Sequence, residues 1–224
     1  MISRYTPMML YQPPSGQPNI IFKDASLLIV DKPAELLSVP GRQAEHRDCL
    51  ITRLQQDYPE ALIIHRLDMS TSGLMVVARS PDVQRYLSHQ FEQRQVKKTY
   101  LAVVSGKLTL QAGEIDLPLI CDWPNRPKQM VDHVRGKPAH TCYWLLNYDI
   151  ETNTSRVELK PTTGRTHQLR VHMQAIGHPI LGDDLYADQE TCSKAERLLL
   201  HASALQFTHP VGGEAVCFTL PAQF

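Results

Sequence analysis

Hydrophobic residues fall in short runs along the chain, and most of these runs are typical of β-strands. Ile20–Lys23 and Leu27–Asp31 are separated by Asp24-Ala25-Ser26, which predicts a hairpin. Leu74–Ala78 has the uninterrupted apolar character of a buried strand. Further strands are predicted at Tyr100–Val104, His140–Tyr148, Arg156–Leu159, Ala202–Thr208 and Ala215–Leu220.

Three segments show signals of helices. The first is predicted to begin after Asp48, a capping residue, and to stop at Pro59. The second begins at Ser80-Pro81, and the third begins after Gly164 and ends at Gly177, since glycine suits the position after a helix. The apolar residues that share a face in the first two helices are Leu50, Ile51, Leu54 and Tyr58, and then Val83, Leu87 and Phe91.

Many strands with few helices, and no strict strand–helix alternation, predict an α+β fold on a largely antiparallel sheet. Residues 1–19 contain four prolines and no periodicity, so they are predicted to be an irregular lead-in to a single domain over residues 20–224. The segment from Pro118 to Pro138 is predicted to be a basic loop that prolines stiffen.

The composition is that of an ordinary globular protein: 224 residues, 42% hydrophobic and 21% charged. The five cysteines are scattered with no CxxC pair, which argues against a disulfide framework and a cysteine-rich zinc site. We expect a cytoplasmic protein, because such cysteines suit a reducing compartment and neither a signal peptide nor a membrane span is recognisable.

The net charge is zero, with 23 basic and 23 acidic residues, which taken alone is weak evidence against a nucleic-acid partner, because such domains are often basic. The distribution is less even than the sum. Residues 121–140 hold four basic groups against two acids, and residues 156–170 hold four against Glu158 alone. A basic face on a neutral protein is one interpretation, and solvated charge on separate faces is the other.

The first segment that could carry chemistry is Ile64–Gly73, which contains His65-Arg66-Leu67-Asp68. Polar, turn-forming residues lie here between two apolar stretches, a position where site residues are common. An aspartate is ionised at neutral pH and can act as nucleophile or base. The residues alone leave open a plain turn aspartate that bonds to its own backbone.

The second segment is Leu159–Met173, where a strand is predicted to end at a glycine-containing turn before a helix. Backbone N–H groups at a helix start favour anions, and Arg165 adds a guanidinium suited to a carboxylate or phosphate. His167 and His172 are five residues apart, about 140° around a helix, so we do not expect them to share a metal ion.

The third segment is Arg94–Tyr100, a basic cluster that leads into a strand. A tyrosine beside positive charge suits an unstacked RNA base. Tyr100 as a core residue with its hydroxyl at the rim is an equally good interpretation.

Taken together, HRLDMSTSG, KKTYLAVV and LKPTTGRTHQLRVHM resemble, in order and spacing, the RluA family of RNA pseudouridine synthases. The similarity extends from about Ile20 to the C-terminus. The segments LLSVPGR and LICDWPNRPKQ resemble the dual-specificity branch of that family, which modifies a tRNA anticodon loop and a large-subunit rRNA hairpin.

The resemblance implies an isomerase with a central RNA-binding cleft, in which the motif aspartate, here Asp68, is catalytic. It further implies that Arg165 holds the charge of Asp68, and that Tyr100 stacks on the target base and is a candidate acceptor of the C5 proton. Arg66 is expected to fill the gap that a flipped uridine leaves in the RNA.

The resemblance also implies further RNA contacts, the cofactor requirement and the partners. His65, Lys160 and Leu200 are expected to contact RNA or wall the pocket. No metal and no cofactor are expected, because the reaction has no net redox change. The expected partners are tRNA and 23S rRNA stem-loops, with no membrane and no obligate protein partner.

Two departures from the family pattern stand out. The family usually has Lys-Pro-x-Gly where this chain has Lys32-Pro33-Ala34-Glu35, so the turn is expected to differ slightly, since glutamate is strained where glycine has positive φ. The chain also lacks room for the S4 RNA-binding domain of many relatives, so the catalytic domain is expected to recognise RNA by itself.

Rival functions remain to be separated. One is a nucleoside or glycoside hydrolase with Asp68 and His65 as an acid–base pair, although no local motif supplies a second carboxylate. A second is a non-catalytic RNA-binding module, and a third is a family member that modifies a single RNA site. A protein kinase is excluded, because the glycine-rich loop and the Asp-Phe-Gly motif are missing.

Overall fold

The computed structural model describes residues 11–224, which fold into twelve strands and four α-helices. The strands are β1 (Asn19–Lys23), β2 (Leu27–Lys32), β3 (Leu62–Ile63), β4 (Ser72–Ala78), β5 (Lys97–Ser105), β6 (Ala112–Asp116), β7 (Leu119–Cys121), β8 (Gln129–Val131), β9 (His140–Asp149), β10 (Thr154–Pro161), β11 (Leu200–Thr208) and β12 (Ala215–Thr219). The helices are α1 (Leu50–Asp57), α2 (Pro81–Glu92), α3 (Gln168–Ala175) and α4 (Gln189–Ser193), with 3-10 turns at Ala44–Arg47 and Trp123–Asn125.

Ten of the strands form one sheet in the order β1-β2-β4-β11-β5-β10-β9-β6, with β3 added beside β4 and β12 beside β11. Every named pairing in it is antiparallel except that of β4 with β11. The α+β class and the largely antiparallel sheet are therefore confirmed. No helix among residues 11–224 has the length and apolar character needed to cross a bilayer.

Strands β2 and β4 are buried on both faces, because helices cover both sides of this part of the sheet. Leu28 and Val30 pack with α1, whereas Leu27 and Ile29 pack with α2. The alternation follows from the two-residue period of a strand. It also explains why Leu74–Ala78 is apolar throughout. A third cluster packs α3 against β5 and β10.

The helix ends mostly follow the predicted signals. Ser80 accepts a hydrogen bond from the Val83 amide and so caps α2, and Gly177 adopts φ 84° just after α3. The prediction that Asp48 caps α1 is wrong, because Cys49 occupies that position. The Asp48 carboxylate instead forms a 2.7 Å ion pair with Arg53.

The segment from Pro118 to Pro138 is more ordered than predicted. It contains the antiparallel pair β7–β8, which forms a separate two-stranded sheet. A 3-10 turn that includes Trp123 lies between the two strands. Of the predicted lead-in, residues 11–18 contain no helix or strand, and residues 1–10 lie outside the described part.

Glu35 adopts φ 62°, a conformation that usually requires glycine. The turn therefore retains a glycine-type backbone although the residue is glutamate. A non-glycine residue in this region costs about 1–2 kcal/mol, because its Cβ approaches the following carbonyl oxygen.

We expect Glu35→Gly to stabilise the protein by about 1 kcal/mol, since the relieved strain exceeds the added entropy of the unfolded chain. Urea unfolding measures the difference. The neighbouring Ala34→Gly is the matched control, because Ala34 is not in the positive-φ region and should lose stability. Equal effects of the two glycines would contradict the strain at Glu35.

Candidate active site

Asp68 lies on the connection between β3 and β4, and contacts of Leu67 with the core hold this connection in place. The buried Leu67 belongs to the core cluster around α1. Its amide nitrogen donates to Ser38 Oγ at 3.2 Å, and Ser38 Oγ donates to the Leu67 carbonyl at 2.7 Å. These contacts hold the loop next to Asp68 by backbone atoms, and they leave the Asp68 side chain free.

Lys32 ties this loop to the turn that contains Glu35. Its side chain is fully buried, and Nζ donates to the carbonyls of Pro33, Leu36 and Met69 at 2.7, 2.7 and 3.0 Å. Burial lowers the pKa of Lys32 to about 7. Through its three hydrogen bonds, the Lys32 amino group joins the two loops.

Gly73 allows the sheet to close immediately after the Asp68 loop. It pairs with Ala202 in the parallel register of β4 and β11. A Cβ atom at Gly73 would lie 2.4 Å from the Ala202 carbonyl oxygen, and its φ is 112°. Glycine is thus required by both contact and conformation.

The Asp68 carboxylate accepts no hydrogen bond from residues 11–224, whereas its main-chain carbonyl accepts the Thr71 amide at 3.2 Å. The turn is therefore closed by backbone, and the alternative of an aspartate that bonds to its own turn does not describe this side chain. Two cavities, of about 290 and 710 Å³, meet at Asp68. The carboxylate is available to a ligand in either.

Tyr100 lines the smaller cavity beside Asp68 and contacts both large core clusters. Burial, and then the charge of Asp68, raise the pKa of Tyr100 well above its usual value. The phenol is therefore neutral at physiological pH, and its ring is held by the core.

His65 is held as a neutral side chain. Its Nε2 accepts the Val76 amide at 3.1 Å, so the ring proton is on Nδ1, and the ring stacks on Phe91 with centroids 4.5 Å apart. Burial, and then the positive charge of Lys98, lower the pKa of His65 to about 3. His65 does line the smaller cavity. Its low pKa makes it a weak base, which argues against a hydrolase in which Asp68 and His65 form an acid–base pair.

The other predicted contact residues are placed differently from one another. Arg66 is exposed and lines both cavities, and the buried Leu200 lines the smaller one. Lys160 does not line either cavity. Its ammonium forms an ion pair with Glu158 and lies 4.7 Å from the Trp144 ring centroid. Lys160 is on the opposite face of β10 from its neighbour Pro161, which lines the smaller cavity, because successive strand residues point to opposite faces.

Arg165 lines the smaller cavity but does not form the expected ion pair with Asp68. Its Nε donates to the Pro138 carbonyl at 3.0 Å, and its amide donates to Gln168 Oε1 at 3.0 Å. Within residues 11–224 no salt bridge ends on Asp68. The Arg165 side chain is therefore held at the cavity wall by a main-chain carbonyl and not by a carboxylate.

Arg170, on α3, is the buried cation next to Asp68, and the sequence patterns did not single it out. Nε and Nη2 donate to the fully buried Asp183 at 2.8 and 2.5 Å, and Nη2 also reaches Asp184 at 2.9 Å. Burial alone would lower the pKa of Arg170, but the bond to Asp183 and the charges of Asp183, Asp68 and Asp184 raise it. The Arg170 guanidinium, held by Asp183 and Asp184, thus lines both cavities together with Asp68.

Lys98 is a second cation at the cavity. The sequence placed it in the basic cluster Arg94–Tyr100 but did not separate it from the other basic residues there. Lys98 lines the smaller cavity, and Nζ donates to the Thr163 carbonyl at 3.1 Å. Burial lowers the pKa of Lys98 to about 8, so it is largely charged at neutral pH.

The two histidines of the third predicted helix have separate partners, and they do not share a site. His167 Nδ1 lies 2.7 Å from Tyr186 Oη, and the Gln129 amide donates to the same oxygen at 2.8 Å. Tyr186 therefore connects β8 to His167, and His167 lines both cavities. His172 is fully buried, with its ring nitrogens at 3.0 Å from Thr141 Oγ1 and the Leu117 carbonyl.

Comparisons with known proteins agree with the resemblance of the motifs. Residues 26–175 match the family model described as RNA pseudouridylate synthase. The chain is 54% identical over 205 residues to the dual-specificity RNA pseudouridine synthase RluA of Escherichia coli strain K12, covering 92% of this chain and 93% of that protein. The protein of the same name from Yersinia pestis is 52% identical over 205 residues, covering 92% of this chain and 99% of that protein.

Solved structures show the same architecture at lower identity. Human RNA Pseudouridylate Synthase Domain Containing 1 superimposes with a TM-score of 0.78 at 28% identity, over 94% of this chain and 86% of that one. Human RNA Pseudouridylate Synthase Domain Containing 4 gives a TM-score of 0.71 at 26% identity, over 91% and 88%.

Proposed function

The chain belongs to the RNA pseudouridylate synthase family and is an isomerase of uridine in RNA, and from that premise we propose that Asp68 is its catalytic carboxylate. The observation that carries this proposal is the free carboxylate of Asp68 where the two cavities meet. Among residues 11–224, no other carboxylate lines the smaller cavity, which is the one that contains Tyr100.

The reaction breaks the N-glycosidic bond of uridine, turns the uracil, and rejoins it to the sugar through C5. Either attack on the sugar or abstraction of a sugar proton starts from an ionised carboxylate. The Arg170 guanidinium lines both cavities together with Asp68, which makes it the buried cation available to a carboxylate there. We propose that Arg170 performs the charge-holding role that the resemblance assigns to Arg165, and that Arg165 contacts the bound nucleotide as a third catalytic residue.

Tyr100 is proposed to stack on the uracil. Its ring is fixed between two core clusters, and a rigid aromatic face can hold a base while it turns. Accepting the C5 proton would require the phenolate, and the raised pKa of Tyr100 opposes that form at neutral pH. Stacking is therefore the role that its surroundings support. Leu200 forms part of the same cavity wall.

Arg66 is proposed to enter the RNA helix when the target uridine leaves it. Flipping costs a few kcal/mol, and a guanidinium plane can replace the lost stacking. Arg66 suits this role because it is exposed and lies between the two cavities.

We expect Arg66→Ala to lower kcat/KM for a structured hairpin by about 100-fold, since about 2–3 kcal/mol of the flipping cost is no longer offset. Turnover of a uridine in unstructured RNA should fall much less. Arg85→Ala is the control, because Arg85 is exposed on α2, lines neither cavity and pairs with the exposed Asp82. Equal losses on the two RNAs would remove the flipping role.

We propose that the enzyme has dual specificity, for a tRNA anticodon loop and a hairpin of 23S rRNA. The curated relatives that support this carry dual specificity in their names, at 54% and 52% identity over nearly the whole chain. We also propose that it acts on these RNAs in the cytoplasm without an obligate protein partner; its five cysteines are all unpaired, as suits a reducing compartment.

Mapping pseudouridines in tRNA and rRNA tests the specificity. The purified chain should modify one uridine in an isolated anticodon stem-loop and one in a 23S rRNA hairpin, and both sites should stay unmodified in cells that lack it. Modification of only one RNA class would support the alternative of a single-site enzyme. Release of free uracil without pseudouridine would support a hydrolase.

A further inference from the structure

Three potential metal ligands meet on the outer face of the sheet, at its edge strand β6. Glu114 of β6 pairs with Cys142 of β9 in the sheet register, and His140 lies two residues before Cys142 on β9. Residues two apart on a strand point to the same face. The ligand atoms of the three side chains all lie within 4.8 Å of one another.

We propose that Glu114, His140 and Cys142 form a binding site for a divalent transition metal, with Zn²⁺ as the best match. Carboxylate oxygen, imidazole nitrogen and thiolate sulfur are the three ligand types that zinc accepts. Three protein ligands leave a fourth tetrahedral position for water, and the exposure of Glu114 keeps that position open to solvent.

The separation of two ligand atoms already suits a tetrahedral ion. His140 Nε2 lies 3.3 Å from Glu114 Oε2. Bonds of about 2.0–2.1 Å to nitrogen and about 2.0–2.2 Å to oxygen, at a tetrahedral angle, place these atoms about 3.3–3.5 Å apart. The sulfur needs about 3.6 Å to each of them, which a change in the side-chain torsions of Cys142 and the exposed Glu114 can provide.

Thr162 orients the imidazole in the way that metal sites usually require. Its Oγ1 lies 3.2 Å from His140 Nδ1 and can accept a hydrogen bond there. The lone pair of Nε2, on the side of Glu114, is then available for a cation. Metal-bound histidines commonly donate their other ring N–H to such a partner.

The lysine that neighbours Cys142 in the sheet already has a carboxylate partner. Lys160 is the neighbour of Cys142 on β10, but its ammonium pairs with Glu158 at 2.5 Å. Burial, and then the charge of Glu114, raise the pKa of Cys142, so it is a thiol before a cation arrives. Coordination breaks the S–H bond, forms the metal–sulfur bond and releases one proton to solvent.

The site is separate from the one at Asp68. The neighbours of Cys142 on β9, Thr141 and Tyr143, are buried on the inner side, and no residue of the triad lines either cavity at Asp68. A bound cation would join the edge strand β6 to β9 through side chains in addition to their backbone hydrogen bonds.

Titration of the chelator-treated, full-length protein with Co²⁺ tests the site, because a cobalt–thiolate bond gives a charge-transfer absorption band. We expect one equivalent to bind with that band, and Zn²⁺ to displace it. Cys142→Ser should abolish the band, and His140→Gln should weaken binding at least tenfold. The exposed Cys217 supplies the matched control, Cys217→Ser, which should bind as the unmodified chain does.

The proposal is overturned if the unmodified chain shows no saturable cobalt band, or if Cys142→Ser retains the band at the same affinity. Pseudouridine formation in the presence of chelator should be equal in all four proteins, which shows that each variant is folded. That measurement also separates failure of the metal site from any failure of the proposed catalytic role of Asp68.

Discussion

Asp68→Asn should reduce pseudouridine formation by about 10⁴-fold or more, a loss typical of removing a catalytic carboxylate. A carboxamide has the same shape as the carboxylate but cannot attack the sugar or take a proton from it. The fold should be unaffected, because the loop is held by the backbone of Leu67 and Met69 and the Asp68 side chain accepts no hydrogen bond within residues 11–224. RNA affinity should therefore be retained or improved.

Single-turnover assays on an anticodon stem-loop, with filter binding of the same RNA, separate these two effects. Asp57→Asn is the matched control, because Asp57 is exposed at the end of α1 and should change neither quantity. Residual turnover within about tenfold of the unmodified enzyme would contradict the catalytic role, since catalytic carboxylates contribute far more. A parallel loss of RNA binding would indicate a role in RNA recognition instead.

The local elements of this fold were predictable because their signals are local. The run Leu74–Ala78 is apolar since helices cover both faces of β4, and Ser80 caps α2 by a bond to a residue three positions away. The pair β7–β8 was missed, because its strands are only three residues long and lie in a segment dominated by proline and basic residues.

The candidate site was predictable only in part. The motif resemblance singled out Asp68, Tyr100 and Arg66 as candidates, and all three line the smaller cavity. It did not reveal that Lys160 faces away from the cavity. Side chains of neighbouring strand residues point to opposite faces of the sheet. Pro161 therefore lies in the cavity wall and Lys160 does not.

Interactions between distant segments are the part that the sequence did not provide. The low pKa of His65 follows from burial against Phe91, which is on another element. The convergence of Glu114 with Cys142 requires the register of β6 on β9. In the same way, the choice between Arg165 and Arg170 depends on their places in the fold, since Arg170 is buried on α3 whereas Arg165 lies in the turn before that helix.

The pairing of Arg170 with Asp183 makes Arg170→Met the substitution with the largest expected effect on stability. Asp183 is fully buried, and it would lose both of its bonds to the guanidinium. Removing one partner of a buried ion pair typically costs about 3–5 kcal/mol, because the remaining charge is left uncompensated. Urea unfolding should show this loss, whereas Arg165→Ala should change the unfolding free energy by about 1 kcal/mol or less, since it removes a single bond to a carbonyl.

The double variant Arg170→Met, Asp183→Leu separates stability from catalysis. Removing both charges should recover much of the lost stability, since buried ion pairs can often be replaced by apolar residues. Activity should remain low, because the buried guanidinium that lines both cavities with Asp68 is then missing. Full activity in the stable double variant would show that Arg170 is structural only, and would return the charge-holding role to Arg165.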